Sequence, residues 1–456
     1  MMGVVPHAPL LAQIAHCPRC QGRLDVRGSD LGCAACDVTF PSLGSVPLLV
    51  SEHESLIRDW RDQLAAFEAM MERTALELRS ELGRFDLLPR TRERLERLTS
   101  ANAANRSAIA TLFAEAGLVL DPIALERAQG EARAGAGIVQ HYEQAVRDWG
   151  WPGSDQNQAS LARVLRVAGR EQPLGKTLVL GTGASRLAYD LHSALAPELT
   201  IALDLDPFVL LVAHSVLFGD GLALVETPID PAGPDVAAVP RRLQREGDPP
   251  RDFACVLADA FEPPFAEASF DTIVTPWFID IAAEDFRDVV GLVSVLLREG
   301  GRWLNDGPLL YKSSSYDLRY SQAEVLELLS LGGFRIDAHT SAEVPYLHSP
   351  DSAHARTERV LSFCATKADG AVAEVDAATP RWVLLRHLSI PAFVGSVPSG
   401  PPLVAKILGL VDGSRCINEI TELVEELVRP PPGMASVDIV GGLLLQAYRD
   451  RAHGLK

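Results

Sequence analysis

From Lys176 to Lys367 short apolar, β-branched runs alternate with helical stretches. The runs are Thr177–Leu180, Thr200–Leu203, Phe253–Leu257, Thr272–Pro276, Gly301–Asn305, Phe334–His339 and Val360–Ala365. Strands covered on both faces read as continuous apolar runs, and parallel neighbours need a crossover segment between them. The pattern predicts an α/β fold built on a doubly wound, Rossmann-like, seven-stranded sheet whose late strands run antiparallel. The stretch Thr227–Arg251, rich in Pro, Asp and Arg, breaks the alternation and reads as an insertion that could form a lid.

The first run enters a glycine turn, Leu178-Val-Leu-Gly181-Thr-Gly183-Ala-Ser-Arg-Leu. Glycines there allow unusual dihedrals and close approach of a ligand to the backbone. Gly-x-Gly also serves dinucleotide sites, but the third glycine of that pattern is replaced by Arg186. The second run ends at Asp204-Leu-Asp206, where a carboxylate can accept both hydroxyls of a ribose. The third is followed by Asp259-Ala260, where an acid suits an adenine amino group, and the fourth runs into Pro276-Trp-Phe-Ile-Asp280. Each acid alone could be a helix cap or a surface charge. As an ordered set at the carboxyl ends of successive parallel strands, they point to S-adenosylmethionine rather than a nicotinamide. The expected cofactor contacts here are Gly181, Gly183, Asp204, Asp259, Ala260 and Pro276.

Ahead of this unit, Cys17-Pro-Arg-Cys20 and Cys33-Ala-Ala-Cys36 form two Cys-x-x-Cys pairs. At this separation four thiolates can surround one Zn²⁺ in a closed, structural site. Two disulfides are the alternative, disfavoured in a cytosolic setting. Residues 1–50 are thus expected to be a zinc ribbon whose metal supplies most of its folding energy. Residues 51–168 carry helical periodicity, with Leu56, Trp60, Leu64 and Phe67 on one stripe. Residues 169–368 hold the sheet, 368–380 read as a linker, and 381–456 form a last small unit.

The chain of 456 residues has a net charge of −18, which makes a phosphate backbone a poor default partner. It shows no apolar run of bilayer length, and its first residues lack the charged head of a secretory signal, so a cytoplasmic location is expected.

The stretch from Gln144 to about Lys367 resembles the carnosine N-methyltransferase family. The resemblance rests on Gln144-Ala-Val-Arg147-Asp148-Trp149, on Gly181, Asp204 and Asp259, and on Thr275-Pro-Trp-Phe-Ile-Asp280. The most specific match is Gly300-Gly-Arg-Trp-Leu-Asn305-Asp306-Gly-Pro-Leu-Leu-Tyr311. It implies a methyltransferase sheet with Gln144 and Arg147 contacting the cofactor, and Asp280 and Tyr311 facing the substrate. The family's His after that Tyr is Lys312 here, and its later Tyr-rich segment corresponds to His354-Ala-Arg-Thr357-Glu358, so the substrate contacts differ.

Methyl transfer from a sulfonium is an in-line displacement that needs alignment and exclusion of water. Asp280 could hold one imidazole N–H and leave the other nitrogen free to attack. Tyr311 could complete the positioning, and Lys312 either pairs with a substrate carboxylate or faces solvent. Asp306 is either a second acid or a cap for the following turn. His348 and His354 read as exposed loop residues.

Near the end, Ile407-Leu-Gly-Leu-Val-Asp412-Gly413-Ser-Arg415-Cys-Ile-Asn-Glu-Ile resembles the winged-helix modules of the PqqD type, which implies a leader-peptide or protein partner. The leading function is therefore N-methylation of an imidazole- or amine-bearing small molecule or peptide. The alternatives are an RNA or ribosome methyltransferase using the zinc ribbon for recognition, a peptide-modifying methyltransferase of a natural-product pathway, and a non-catalytic adaptor.

Overall fold

A computed structural model describes residues 7–130, 136–151, 155–169, 172–282, 285–311, 316–368, 390, 402–430 and 435–454. After a short helix α1 (His7–Leu11), the N-terminal unit forms β1 (Leu24–Arg27), β2 (Asp30–Cys33) and β3 (Val38–Phe40), a three-stranded antiparallel sheet. A small hairpin follows, β4 (Ser42–Leu43) and β5 (Val46–Pro47). The helical segment contains α2 (His53–Leu82), α3 (Pro89–Glu115), α4 (Pro122–Gly130), α5 (Ala136–Gly150) and α6 (Asp155–Ala168).

The large sheet holds all seven expected strands: β6 (Lys176–Leu180), β7 (Leu199–Asp204), β10 (Phe253–Leu257), β11 (Phe270–Pro276), β12 (Leu297–Pro308), β13 (Phe334–Pro345) and β14 (Thr357–Lys367). Between β7 and β10 lie β8 (Leu222–Glu226) and β9 (Val239–Leu243), which pair outside it. The spatial order is β10-β7-β6-β11-β12-β14-β13. The first five strands are parallel, and β14 is antiparallel to both β12 and β13. Chain order reverses between β6 and β11, which makes the gap above their carboxyl ends the crevice where open α/β sheets bind ligands.

Side chains alternate across the strands and feed two cores. Leu178, Ile201, Val256, Ile273 and Trp303 face one way, toward the N-terminal unit, α9 (Phe286–Leu296) and α10 (Gln322–Leu331). Val179, Ala202, Cys255, Val274 and Leu304 face the other, toward α2, α3, α5, α6 and α8 (Pro207–Phe218). Helix α8 is apolar on nearly every side because it is buried on nearly every side.

Two expectations change. The N-terminal unit does not depend on metal alone for its folding: Leu31, Phe40, Cys17 and Cys33 lie in the same apolar cluster as Ile201 and Val256. Its exit segment covers the open edge of β10, with Leu48 bridged to Leu257 and the Leu49 N–H donating to the Leu257 carbonyl at 2.7 Å. The stretch read as an insertion begins within a hairpin of β8 and β9, in which Arg241 pairs with Glu226 at 2.6 Å. Pro240 is tolerated in β9 because that strand has β8 as its single partner. The intervening loop is tied down: the Ala232 N–H donates to the Asp351 carbonyl at 2.9 Å and the Ala353 N–H to the Asp230 carbonyl at 2.7 Å.

Among its described residues the last unit shows three α-helices, α11 (Pro402–Gly409), α12 (Ile417–Val424) and α13 (Ser436–Gly454). They surround a small core of their own, including Ile407, Ile420, Val440 and Leu444. Residues 381–389, at the start of this unit, lie outside the described residues. No helix among the described residues is long and apolar enough to cross a membrane.

Candidate active site

The glycine turn sits at the switch point, and its two glycines are required for different reasons. Gly181 and Gly183 both have left-handed backbones, φ 64° and 55°. A Cβ on Gly181 would lie 2.5 Å from the Phe278 ring, whereas one on Gly183 would meet nothing within 4 Å. Gly181 thus lets the loop after β11 close onto the turn after β6, while Gly183 faces open space. The turn is fastened to the end of β7: the Thr182 N–H donates to the Leu203 carbonyl at 3.1 Å, and the Gly183 N–H to Asp204 Oδ2 at 2.8 Å.

Asp204 also accepts the Asp206 N–H at 3.0 Å. Burial, together with the neighbouring Asp206 charge, pushes its carboxyl up to about 6. Asp206 caps α8 by accepting the Phe208 N–H at 2.8 Å, and its other oxygen lies 2.5 Å from His141 Nδ1. The hydrogen bond to Asp206 holds the His141 imidazole above its usual pKa. His141 was not singled out in the sequence. It stands three residues before Gln144, so helical spacing puts both on one face of α5.

Helix α5 is fixed on the glycine turn. Trp149 Nε1 donates to the Ala184 carbonyl at 2.8 Å, and the Arg186 guanidinium lies 5.0 Å over the Trp149 ring. Gln144 is half-buried on this helix. Arg147 meets Asp148 at 2.7 Å, and Arg186 reaches the Asp148 carbonyl at 2.9 Å. On the next loop, Asp259 accepts the Phe261 N–H at 2.8 Å, and Ala260 is buried beside it. The Ala258 N–H donates to the Asp204 carbonyl at 3.0 Å, which joins the two acid-bearing loops.

The segment after β11 supplies the other wall. Pro276 ends β11 in register with Asp306 of β12. Trp277 adopts φ 50°, an unusual backbone for a bulky residue, and its backbone crosses Gly307, where a Cβ would approach within 2.9 Å. Its ring stacks on Tyr346 at 4.7 Å, and Arg356 covers the Tyr346 ring at 4.7 Å. Asp280 is buried and accepts the Leu310 N–H at 2.9 Å, which brings the β11 loop against the residue before Tyr311. Tyr311 is buried too, and its hydroxyl has no hydrogen-bond partner among the described residues. Burial, and then the Asp280 charge, push its phenol well above the ordinary value. Lys312 lies outside the described residues, and His348 and His354 are exposed.

Asp306 is neither a substrate-facing acid nor a turn cap. It is fully buried and receives Arg163 Nε and Nη2 at 2.8 Å each, with Ser160 and Ser362 hydroxyls at 2.6 Å.

At the far edge of the sheet, the Sγ atoms of Cys17, Cys20, Cys33 and Cys36 lie within 4.8 Å of one another. Cys20 and Cys33 are 3.6 Å apart, and Cys17 and Cys36 4.0 Å. Four sulfurs about 2.3 Å from one tetrahedral Zn²⁺ would be roughly 3.8 Å apart, so donor set and spacing fit that ion. None of these cysteines forms a disulfide.

Residues 234–369, less than a third of the chain, match the family model for carnosine N-methyltransferase. A curated carnosine N-methyltransferase of Dictyostelium discoideum is 37% identical over 97 residues, 20% of this chain and 20% of the relative. The match thus spans a fifth of that relative's own length. Among solved structures, N-methyltransferase NodS from Bradyrhizobium japonicum is similar at 12% identity and a TM-score of 0.32, covering 48% of this chain and 99% of that one. Haemonchus contortus phosphoethanolamine N-methyltransferase 2 in complex with S-adenosyl-L-methionine is similar at 17% identity and a TM-score of 0.33, covering 51% of this chain and 57% of that one. The matched segment of this chain is carnosine N-methyltransferase-like.

Proposed function

We propose that the chain is an S-adenosylmethionine-dependent N-methyltransferase acting on an imidazole- or amine-bearing small molecule or peptide. The observation that carries this reading is the convergence of buried Asp280 and the buried Tyr311 hydroxyl beside the glycine turn. Both residues fall inside the segment matched to the carnosine N-methyltransferase family.

When bound, S-adenosylmethionine supplies an electrophilic methyl group whose transfer to nitrogen breaks the carbon–sulfur bond. Asp204 would accept the ribose hydroxyls, and Asp259 would face the adenine. Gly181 and Gly183, with Gln144 and Arg147 of α5, Ala260 and Pro276, would line the remainder. On the acceptor side Asp280 would take a hydrogen bond from one imidazole or amine N–H, leaving an unprotonated lone pair for attack. Tyr311 would donate to a substrate acceptor, giving its buried hydroxyl the partner that buried polar groups normally have. Trp277 and Tyr346 would exclude water from that side. Lys312 remains the proposed contact for a substrate carboxylate. Cys17, Cys20, Cys33 and Cys36 would hold a structural Zn²⁺; four protein ligands leave it no open position for chemistry.

The deciding experiment incubates the protein with methyl-labelled S-adenosylmethionine and carnosine, histidine-containing peptides or total RNA. Label in an imidazole or amine acceptor is the expected result, and label in RNA alone overturns it.

A further inference from the structure

We infer that the cysteine ribbon sets the conformation of the Ala258–Phe265 loop and so tunes the adenine side of the cofactor site, an inference that rests on the S-adenosylmethionine reading above. The loop is held by the ribbon at both ends and in its middle. At its start, Leu48 and Leu49 fasten to Leu257, with the Leu49 N–H at 2.7 Å from the Leu257 carbonyl. At its end, Ala15 bridges Phe265, and the His16 N–H donates to the Pro264 carbonyl at 2.8 Å. In between, the Ser51 hydroxyl lies 3.2 Å from Glu262 Oε2 and 3.4 Å from the Pro18 carbonyl, while Arg19 Nε donates to the Ser51 carbonyl at 3.0 Å. Pro18 and Arg19 lie inside the first Cys-x-x-Cys pair, and His16 is the residue before Cys17.

Asp259 and Ala260 therefore sit between fastening points supplied by residues 15–51, beside the Ala258 bond to the Asp204 carbonyl. Pro263 and Pro264 carry no N–H, so the loop cannot tie itself down through those positions. Its internal bonds include the Asx turn from Asp259 to the Phe261 N–H and the Glu262 N–H to the Asp259 carbonyl at 3.2 Å.

The metal enters through the geometry of residues 15–19. The Gln21 N–H donates to the Cys17 carbonyl and the Cys17 N–H to the Gly22 carbonyl, both at 2.8 Å, which closes a knuckle around the first sulfur pair. Gln21 and Asp37, each directly after the second cysteine of its pair, adopt left-handed backbones, φ 57° and 52°. Such knuckles are strained and depend on a ligand drawing the sulfurs together. Releasing the ion frees the knuckle, with it the contacts at His16, Arg19 and Ser51, and through these the Asp259 loop.

The test compares the Zn²⁺-loaded full chain, the chelator-stripped chain, and the double variant Arg19→Ala/Ser51→Ala, which keeps all four cysteines. Zinc content, amide hydrogen exchange and S-adenosylmethionine binding by calorimetry are measured for each. Stripping should raise the dissociation constant about tenfold and speed exchange at residues 258–265, leaving β12 protected. The double variant should keep one zinc per chain and still weaken binding about threefold, with the same loop exchanging faster. If stripping unfolds the whole chain, the double variant decides. Native affinity and native loop exchange in the double variant overturn the inference. A loaded wild-type chain that binds no S-adenosylmethionine refutes the functional reading instead, and loop exchange still reports the coupling.

Discussion

Arg163 of α6 grips Asp306 of β12 through two parallel hydrogen bonds of 2.8 Å, in a place where the carboxylate is completely buried. Ser160 and Ser362 fill its remaining lone pairs, so one acid ties α6, β12 and β14 together. Removing one partner of such a pair leaves a buried charge uncompensated. Asp306→Ala should therefore lower unfolding free energy by about 3–5 kcal/mol in urea denaturation. A loss below about 1 kcal/mol would show that the pair contributes no more than a surface contact.

Asp280 sits one loop away and should behave in the opposite manner. Its carboxylate takes the Leu310 N–H, and the proposed chemistry uses it on the acceptor. Asp280→Ala should abolish methyl transfer while leaving the S-adenosylmethionine dissociation constant within about threefold, since the proposed cofactor contacts lie on other residues. Calorimetry and a labelled-methyl assay on the same preparation check both halves. Loss of cofactor binding would reassign Asp280 to the cofactor side.

Cofactor binding should depend on pH through Asp204. Its carboxyl is raised to about 6 in the free protein, with burial the main cause and Asp206 next. Ribose hydroxyls donate to the ionised form and stabilise it, so ligand binding favours loss of that proton. Affinity should accordingly increase as pH rises from about 5 to 7 and level off above. Asp204→Asn should bind more weakly and flatten that rise. An unchanged slope in the variant would place the titrating group elsewhere.

Much of this architecture was legible because burial imposes a simple pattern. The strands of the large sheet read as apolar runs because both their faces are covered, and a doubly wound sheet with late antiparallel strands followed from the βα alternation, whereas the place of the reversal came from the structure. Three features escaped for identifiable reasons. The β8–β9 hairpin carries Pro240, Arg241 and Arg242, which hide a strand that pairs along one edge. Asp306 looks the same in sequence whether it faces a substrate or an arginine 143 positions away. His141 meets Asp206 across 65 residues, a pairing that no local spacing in the sequence signals.

Gly181 and Gly183 separate steric from dihedral demands. Gly181→Ala places a methyl 2.5 Å from Phe278 and keeps an unfavourable φ, so the β6 and β11 loops must part. Gly183→Ala meets open space and bears the dihedral cost alone, about 1–2 kcal/mol. In thermal unfolding without cofactor Gly181→Ala should be clearly the less stable of the two. Equal effects would mean that Phe278 moves aside without cost.

Acid should weaken the fold through two buried histidines. His7 is completely buried, and it meets His214 edge-on at 5.2 Å and Phe218 at 4.7 Å. Burial lowers His7 to about 3 and His214 to about 4. Between the ordinary value near 6.5 and these depressed values, the unfolded chain binds protons that the folded chain refuses. Stability from this pair is complete above about pH 6.5 and falls as pH drops toward 4, by about 1.4 kcal/mol per unit for each histidine. His7→Phe/His214→Leu removes both groups and should reduce that slope by up to about 2.8 kcal/mol per unit. Subtracting the variant's pH–stability curve from the wild type's cancels the other titrating groups, Asp204 included. A difference curve flat between pH 4 and 6.5 would show that the imidazoles reach a proton acceptor in the folded chain.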